Sequence, residues 1–165
     1  MDVLELKQFL IKAKSSCYAS QTEGVADGRE RIFNDGCKVS VYQENNYAYK
    51  DAYYGYNPYI GEEVLFCDDA FIWSMNYYGL VTQETILPKQ VYDFLKIALR
   101  NVTVDMPYRG PEYIKDGDFE YKLEHNGIFE QYHGIERIFY KGQEVFIGYY
   151  HGGMIKPKVK PAVAE

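Results

Sequence analysis

A nineteen-residue stretch written twice is the strongest constraint on this chain. Gly61 to Gly79 reads GEEVLFCDDAFIWSMNYYG, and seventy-three positions later Gly134 to Gly152 reads GIERIFYKGQEVFIGYYHG, the two aligning without a gap. Five positions are identical: Gly61/Gly134, Glu63/Glu136, Phe66/Phe139, Tyr77/Tyr150 and Gly79/Gly152. Leu65/Ile138, Ile72/Val145, Trp73/Phe146 and Tyr78/His151 are conservative pairs. Roughly one identity would arise by chance over this span, so duplication is the better account. Each copy has two apolar runs around a polar turn, Asp68-Asp69 or Lys141-Gly142, which is a hairpin signature.

Helical spacing precedes each copy. Val3, Leu6, Phe9, Leu10 and Ala13 form one stripe, with Asp2 and Glu5 placed as a capping box. Val91, Phe94, Leu95, Ala98 and Leu99 form another, with Pro88 suited to the first turn. The first helix is expected to stop near Lys14, followed by a short extended piece and a long polar loop from Ser20 to Gly36. Further strands are expected over 38–43, 47–54, 119–124 and 128–132, with His125-Asn126-Gly127 as a turn. The fold class predicted from this order is α+β: two tandem helix-plus-antiparallel-meander units with approximate two-fold symmetry, about 1–82 and 83–155. One continuous curved sheet wrapping the helices is the competing architecture. The remainder, 156–165, has three lysines and two prolines and is expected to be a disordered tail.

Eighteen tyrosines suit a sheet with aromatic grooves, or strands whose half-exposed faces are covered by rings. A net charge of −6 with no basic stripe before the tail argues against coating a phosphate backbone, so no nucleic acid is expected as a partner. Cys17, Cys37 and Cys67 are odd in number and lack metal-ligand spacing; they suit reduced thiols and a cytoplasmic location. No apolar run is long enough for a bilayer, and no membrane partner is expected. GxSxG, HExxH and CxxC are absent, and neither a cofactor nor a metal is expected.

Candidate site residues follow from strand alternation. Residues two apart share a face, so Glu63 goes with Leu65, Glu136 with Ile138, Trp73 with Tyr77 and Phe146 with Tyr150. An acid beside core-type neighbours in both copies describes either a two-walled pocket or two strand mouths in solvent. Arg29, Arg31 and Arg109 are available forks for those acids, and Arg109 sits on the stiff turn PYRGP, where it could grip an anion or tie down its own loop. His151 is either a proton shuttle or a backbone-bonded residue at a strand end. Asp51 faces solvent or groove with nothing to decide between them. The ligand-binding set is Arg29, Asp51, Glu63, Trp73, Asn76, Tyr77, Arg109, Glu136, Tyr150 and His151.

KAKSSCYAS, YKDAYYG, GEEVLF, IWSMNYYG, FLKIAL, PYRGP and YHGG resemble, in order, the motifs of a bacterial and archaeal domain-of-unknown-function family, over about Leu4 to Ile155. Members of that family occur alone or behind an XRE-type helix-turn-helix. The chain departs from it at Cys17-Tyr18-Ala19-Ser20 and Gly28-Arg29. The resemblance implies a sensory or effector-binding role, by analogy only.

The expected function is a non-catalytic small-ligand or effector-binding protein, with an aromatic, acid-lined pocket for a nucleotide-like or cationic aromatic molecule. Two alternatives stand beside it. One is an acid–base enzyme using His151 with Glu63 or Glu136. The other is a regulatory or counter-defence protein-interaction module. The expected partner is a small molecule, with a homodimer or a protein partner as the other readings.

Overall fold

A computed structural model describes residues 2–17 and 31–156. The chain runs α1 (Val3–Ser16), β1 (Arg31–Ile32), β2 (Lys38–Glu44), β3 (Tyr47–Gly55), β4 (Tyr59–Cys67), β5 (Ala70–Val81), α2 (Pro88–Arg100), β6 (Tyr113–Asp116), β7 (Phe119–Ile128), β8 (Gln131–Tyr140) and β9 (Gln143–Met154). The nine strands of the described residues form one antiparallel sheet in the order β1-β2-β3-β4-β5-β9-β8-β7-β6.

This corrects the expected pair of helix-plus-meander units. β5 and β9 bond to each other from Trp73↔Met154 to Val81↔Phe146, so the two meanders share a ladder and have no boundary between them. The reason is the backbone. Separate meanders would each leave β5 or β9 as an unpaired edge, and joining them satisfies both rows of N–H and C=O groups. The architecture is therefore a single large sheet with two helices. The 73-residue spacing survives at finer grain. β-Bulges fall between Leu65 and Phe66 and between Ile138 and Phe139. The left-handed turn residues Asp68 and Asp69 recur as Lys141 and Gly142.

Both helices pack on one face. In α1 the Asp2 carboxylate accepts from the Leu4 amide at 2.9 Å, and Leu6, Phe9, Leu10 and Ala13 are buried. The helix continues through Ser15 and Ser16, which were expected to be extended. Phe9 rings meet Tyr42 and Tyr47 from β2 and β3. Pro88 opens α2 as expected, and Tyr92 and Phe94 meet Phe146 and Phe119. Between helices and sheet lies an aromatic interior in which Trp73, Tyr49, Tyr121, Tyr150 and Phe146 are fully buried. Among the described residues, no helix is long and apolar enough to cross a membrane.

One turn lies elsewhere than expected. His125-Asn126-Gly127 continues β7, and the reversal comes at Phe129-Glu130, because Ile128 pairs with Gln131. Phe129 is buried and stacks on Trp73 with ring centroids 5.7 Å apart, a contact that a turn at Asn126 would not make. Gly127 is a glycine for a different reason: its φ is +109° and the backbone of Gln131 and Tyr132 occupies the space a Cβ would need. The Ser20–Gly36 loop, apart from 31–36, and the tail from 157 lie outside the described residues.

Candidate functional site

Alternation divides the predicted residues between the two faces of the sheet. Asp51, Glu63, Trp73, Tyr77, Glu136 and Tyr150 point toward the helices, and Arg109 joins them from the segment after α2. Asn76 and His151, one position from Tyr77 and Tyr150, are exposed on the opposite face. Arg29 lies outside the described residues.

The inward group converges on Arg109. Its Nε donates to Glu136 Oε1 at 3.1 Å, its Nη1 lies 3.9 Å from Glu63 Oε1, and its guanidinium covers the Tyr77 ring at 4.7 Å. Tyr121 donates to the other Glu136 oxygen at 3.0 Å. Lys14, from the last turn of α1, places Nζ 2.6 Å from Glu63 Oε2 and donates to the Tyr108 carbonyl. The Lys14–Glu63 contact is an ion pair off the line of a well-directed hydrogen bond, and Glu63 Oε2 has no hydrogen-bond partner. Tyr77 donates to Asp51 Oδ1 at 2.5 Å, and His125 Nδ1 lies 2.9 Å from the Tyr150 hydroxyl.

This is packed interior. Glu63, Glu136, Arg109 and Asp51 are 2–3% exposed, and Lys14 is 7% exposed. Two cations face three acids. Burial, then the charge of Glu63, pushes Asp51 up to about 7 against the pull of Tyr77, Arg109 and Lys14. A proton on Asp51 therefore brings the count to two against two. Burial lowers Lys14 from its usual range, with Glu63 opposing. Burial also opposes the Arg109 charge, but Glu136, Tyr59 and Glu63 more than offset it and hold its pKa well above the usual value. Cys17 is pushed up to about 12 by burial and then by Asp51 and Glu63, which leaves its thiol a poor nucleophile. The cluster can tie α1, the Arg109 segment and strands β3, β4 and β8 together. It cannot meet a solute unless the helices move.

The open face carries a different constellation. Cross-strand pairing aligns Glu62, Asn76, His151, His133 and Asn126 as one row across β4, β5, β9, β8 and β7. With the β7–β8 turn and the end of β9, this row lines a groove of ≈ 970 Å³. Ser74 and Gln131 stand beside it, and the Ser74 hydroxyl donates to Glu62 at 2.9 Å. The adjoining row is apolar across β4, β5, β9 and β8, where it holds Ile60, Tyr78, Tyr149 and Ile135, and ends on β7 at Glu124. Residues related by the 73-residue spacing fall in opposite rows: Tyr78 with His151, Asn76 with Tyr149, and Ile60 with His133. Equivalent positions of the two copies have diverged in polarity, and each row draws on both copies.

His151 and Glu136 therefore sit on opposite sides of the sheet, and the geometry does not bring that acid–base pair together. Among the described residues, no group of three or more His, Cys, Asp or Glu could hold a metal ion.

Sequence reasoning missed Lys14, Tyr121 and His133. Lys14 was legible, since it falls four residues after Leu10 on the buried stripe. His133 was legible too, because counting back from the Lys141-Gly142 turn through one bulge sets it opposite His151. Tyr121 had no local signal.

Comparison with the curated proteins and with the solved structures finds no match. Residues 51–155 match the family model described as "Domain of unknown function (DUF5680)", which covers both copies of the hairpin, Arg109 and the groove, and the chain belongs to that family.

Proposed function

We propose that the chain is a non-catalytic small-ligand or effector-binding protein whose ligand lies in the open-face groove. The observation that carries this is the groove itself. Nine residues with hydrogen-bonding side chains line one hollow of ≈ 970 Å³, most of them on the side of the sheet where neither helix packs. Two residues chosen from the sequence, Asn76 and His151, stand in it. The acids and Arg109 support the site from behind by fixing β4 and β8, whose alternate residues Glu62 and His133 project into the groove. The acid–base alternative is disfavoured because its two members are separated by the sheet. The resemblance to modules found behind an XRE-type helix-turn-helix favours a sensory, cytoplasmic role, by analogy.

A thermal-shift screen of the protein against polar metabolites tests the reading. At least one compound should raise the melting temperature of the wild type and leave the His133→Ala/His151→Ala variant unmoved. Equal shifts in both proteins would place binding elsewhere and sink the proposal.

A further inference from the structure

We infer that the groove takes a neutral polyhydroxylated ligand, a saccharide or related polyol; this rests on the ligand-binding reading above. The side-chain inventory carries it. Ser74, Asn76, Asn126, Gln131, His133 and His151 each offer both a donor and an acceptor. A sugar hydroxyl also donates and accepts, so neighbouring hydroxyls match the paired oxygen and nitrogen of a carboxamide.

The charges narrow the class. Among the described residues, no Lys or Arg lines the groove, whereas Glu62 and Glu130 do. A phosphate, sulfate or carboxylate would meet two acids and, among the described residues, neither a guanidinium nor an ammonium, which reverses the pattern that binds anions. A polyamine would use the acceptors only, leaving the donors of three carboxamides idle, and one Glu62 oxygen is already taken by Ser74.

The surroundings suit a ring with an apolar face. Tyr149 lies two residues before His151 on the same side of β9, about 7 Å away along the strand. It pairs with Tyr78, and the two are 47% and 38% exposed. Ile60 and Ile135 flank them in the same row. This is an exposed aromatic and aliphatic patch beside the hydrogen-bonding row, on which the C–H face of a pyranose would stack while its hydroxyl edge reaches Asn76 and His151.

The test is an amide ¹H–¹⁵N titration of the whole protein with three probes at millimolar concentration: a panel of neutral mono- and disaccharides, spermidine, and adenosine monophosphate. At least one saccharide should shift the amides of Asn76, His133 and His151 saturably. Asn76→Ala and His151→Ala should each weaken it at least tenfold, and Tyr149→Ala severalfold, with the spectra of the variants otherwise preserved. Saturation of those amides by spermidine or the nucleotide, with every saccharide silent, overturns the ligand class and leaves the binding reading standing. No probe moving a groove amide overturns both. A saccharide shift unchanged in Asn76→Ala and His151→Ala also overturns both, since it puts the sugar on another surface.

Discussion

The two faces of the sheet are built from adjacent residues of the same strands and treat charge in opposite ways. Glu63 is 3% exposed and touches two cations, while Glu62 faces solvent and accepts one hydroxyl. Tyr150 is buried against His125, and His151 stands in the groove. On the inner face every charge is committed to a partner inside the protein, and removing one leaves another stranded in a poor solvent. On the outer face water already solvates the polar groups, so they remain available to a ligand. Titratable residues clustered in space thus mark a clamp on one side and a surface open to solutes on the other.

The sharpest way to break this contrast is to remove the hub. Arg109→Ala takes the cation from buried Glu136 and leaves Glu63 to Lys14, and should lose about 3–5 kcal/mol in urea unfolding; a loss below about 1 kcal/mol would mean the inner face is wet. Gly148→Ala comes next. An added Cβ would sit 2.6 Å from Glu136 Cγ and 2.7 Å from its Oε1, and overpacking there should cost about 1–3 kcal/mol with every ionisable residue kept.

The third test uses acid. Asp51 holds its proton more tightly folded than unfolded, so its contribution to stability is complete below about pH 4 and declines as pH rises to about 7. The slope it adds is at most about 1.4 kcal/mol per pH unit. Asp51→Asn should flatten that part of the stability profile, and an unchanged profile would mean Asp51 is ionised throughout. The smallest effect belongs to the outer face. His133→Ala and His151→Ala should each alter stability by less than about 0.5 kcal/mol, and a larger loss would show that the row is structural after all.

Local features of this architecture were legible and the global joining was not. Both helices, the hairpin turns and the sharing of faces follow from spacing, and Glu63, Glu136, Arg109 and Tyr77 do meet. The β5–β9 ladder depends on two segments about seventy residues apart choosing each other over solvent, and no short window records that choice. Asn126-Gly127 carries a turn signal that Phe129 overrides by entering the interior beside Trp73. Alternation also leaves open which face the helices will cover. It shows that Glu63 and Glu62 differ, but not which one is inside.

The shared ladder between β5 and β9 also makes the protein a candidate for splitting. A break within 82–87 would yield one fragment carrying Lys14, Asp51 and Glu63 and another carrying Arg109 and Glu136. Each piece would keep one cation beside one buried glutamate but lose the Arg109–Glu63 contact, and each would expose a long bare strand. Co-expressed, the two should reassemble along nine paired residues, with the Arg109–Glu63 contact closing the seam.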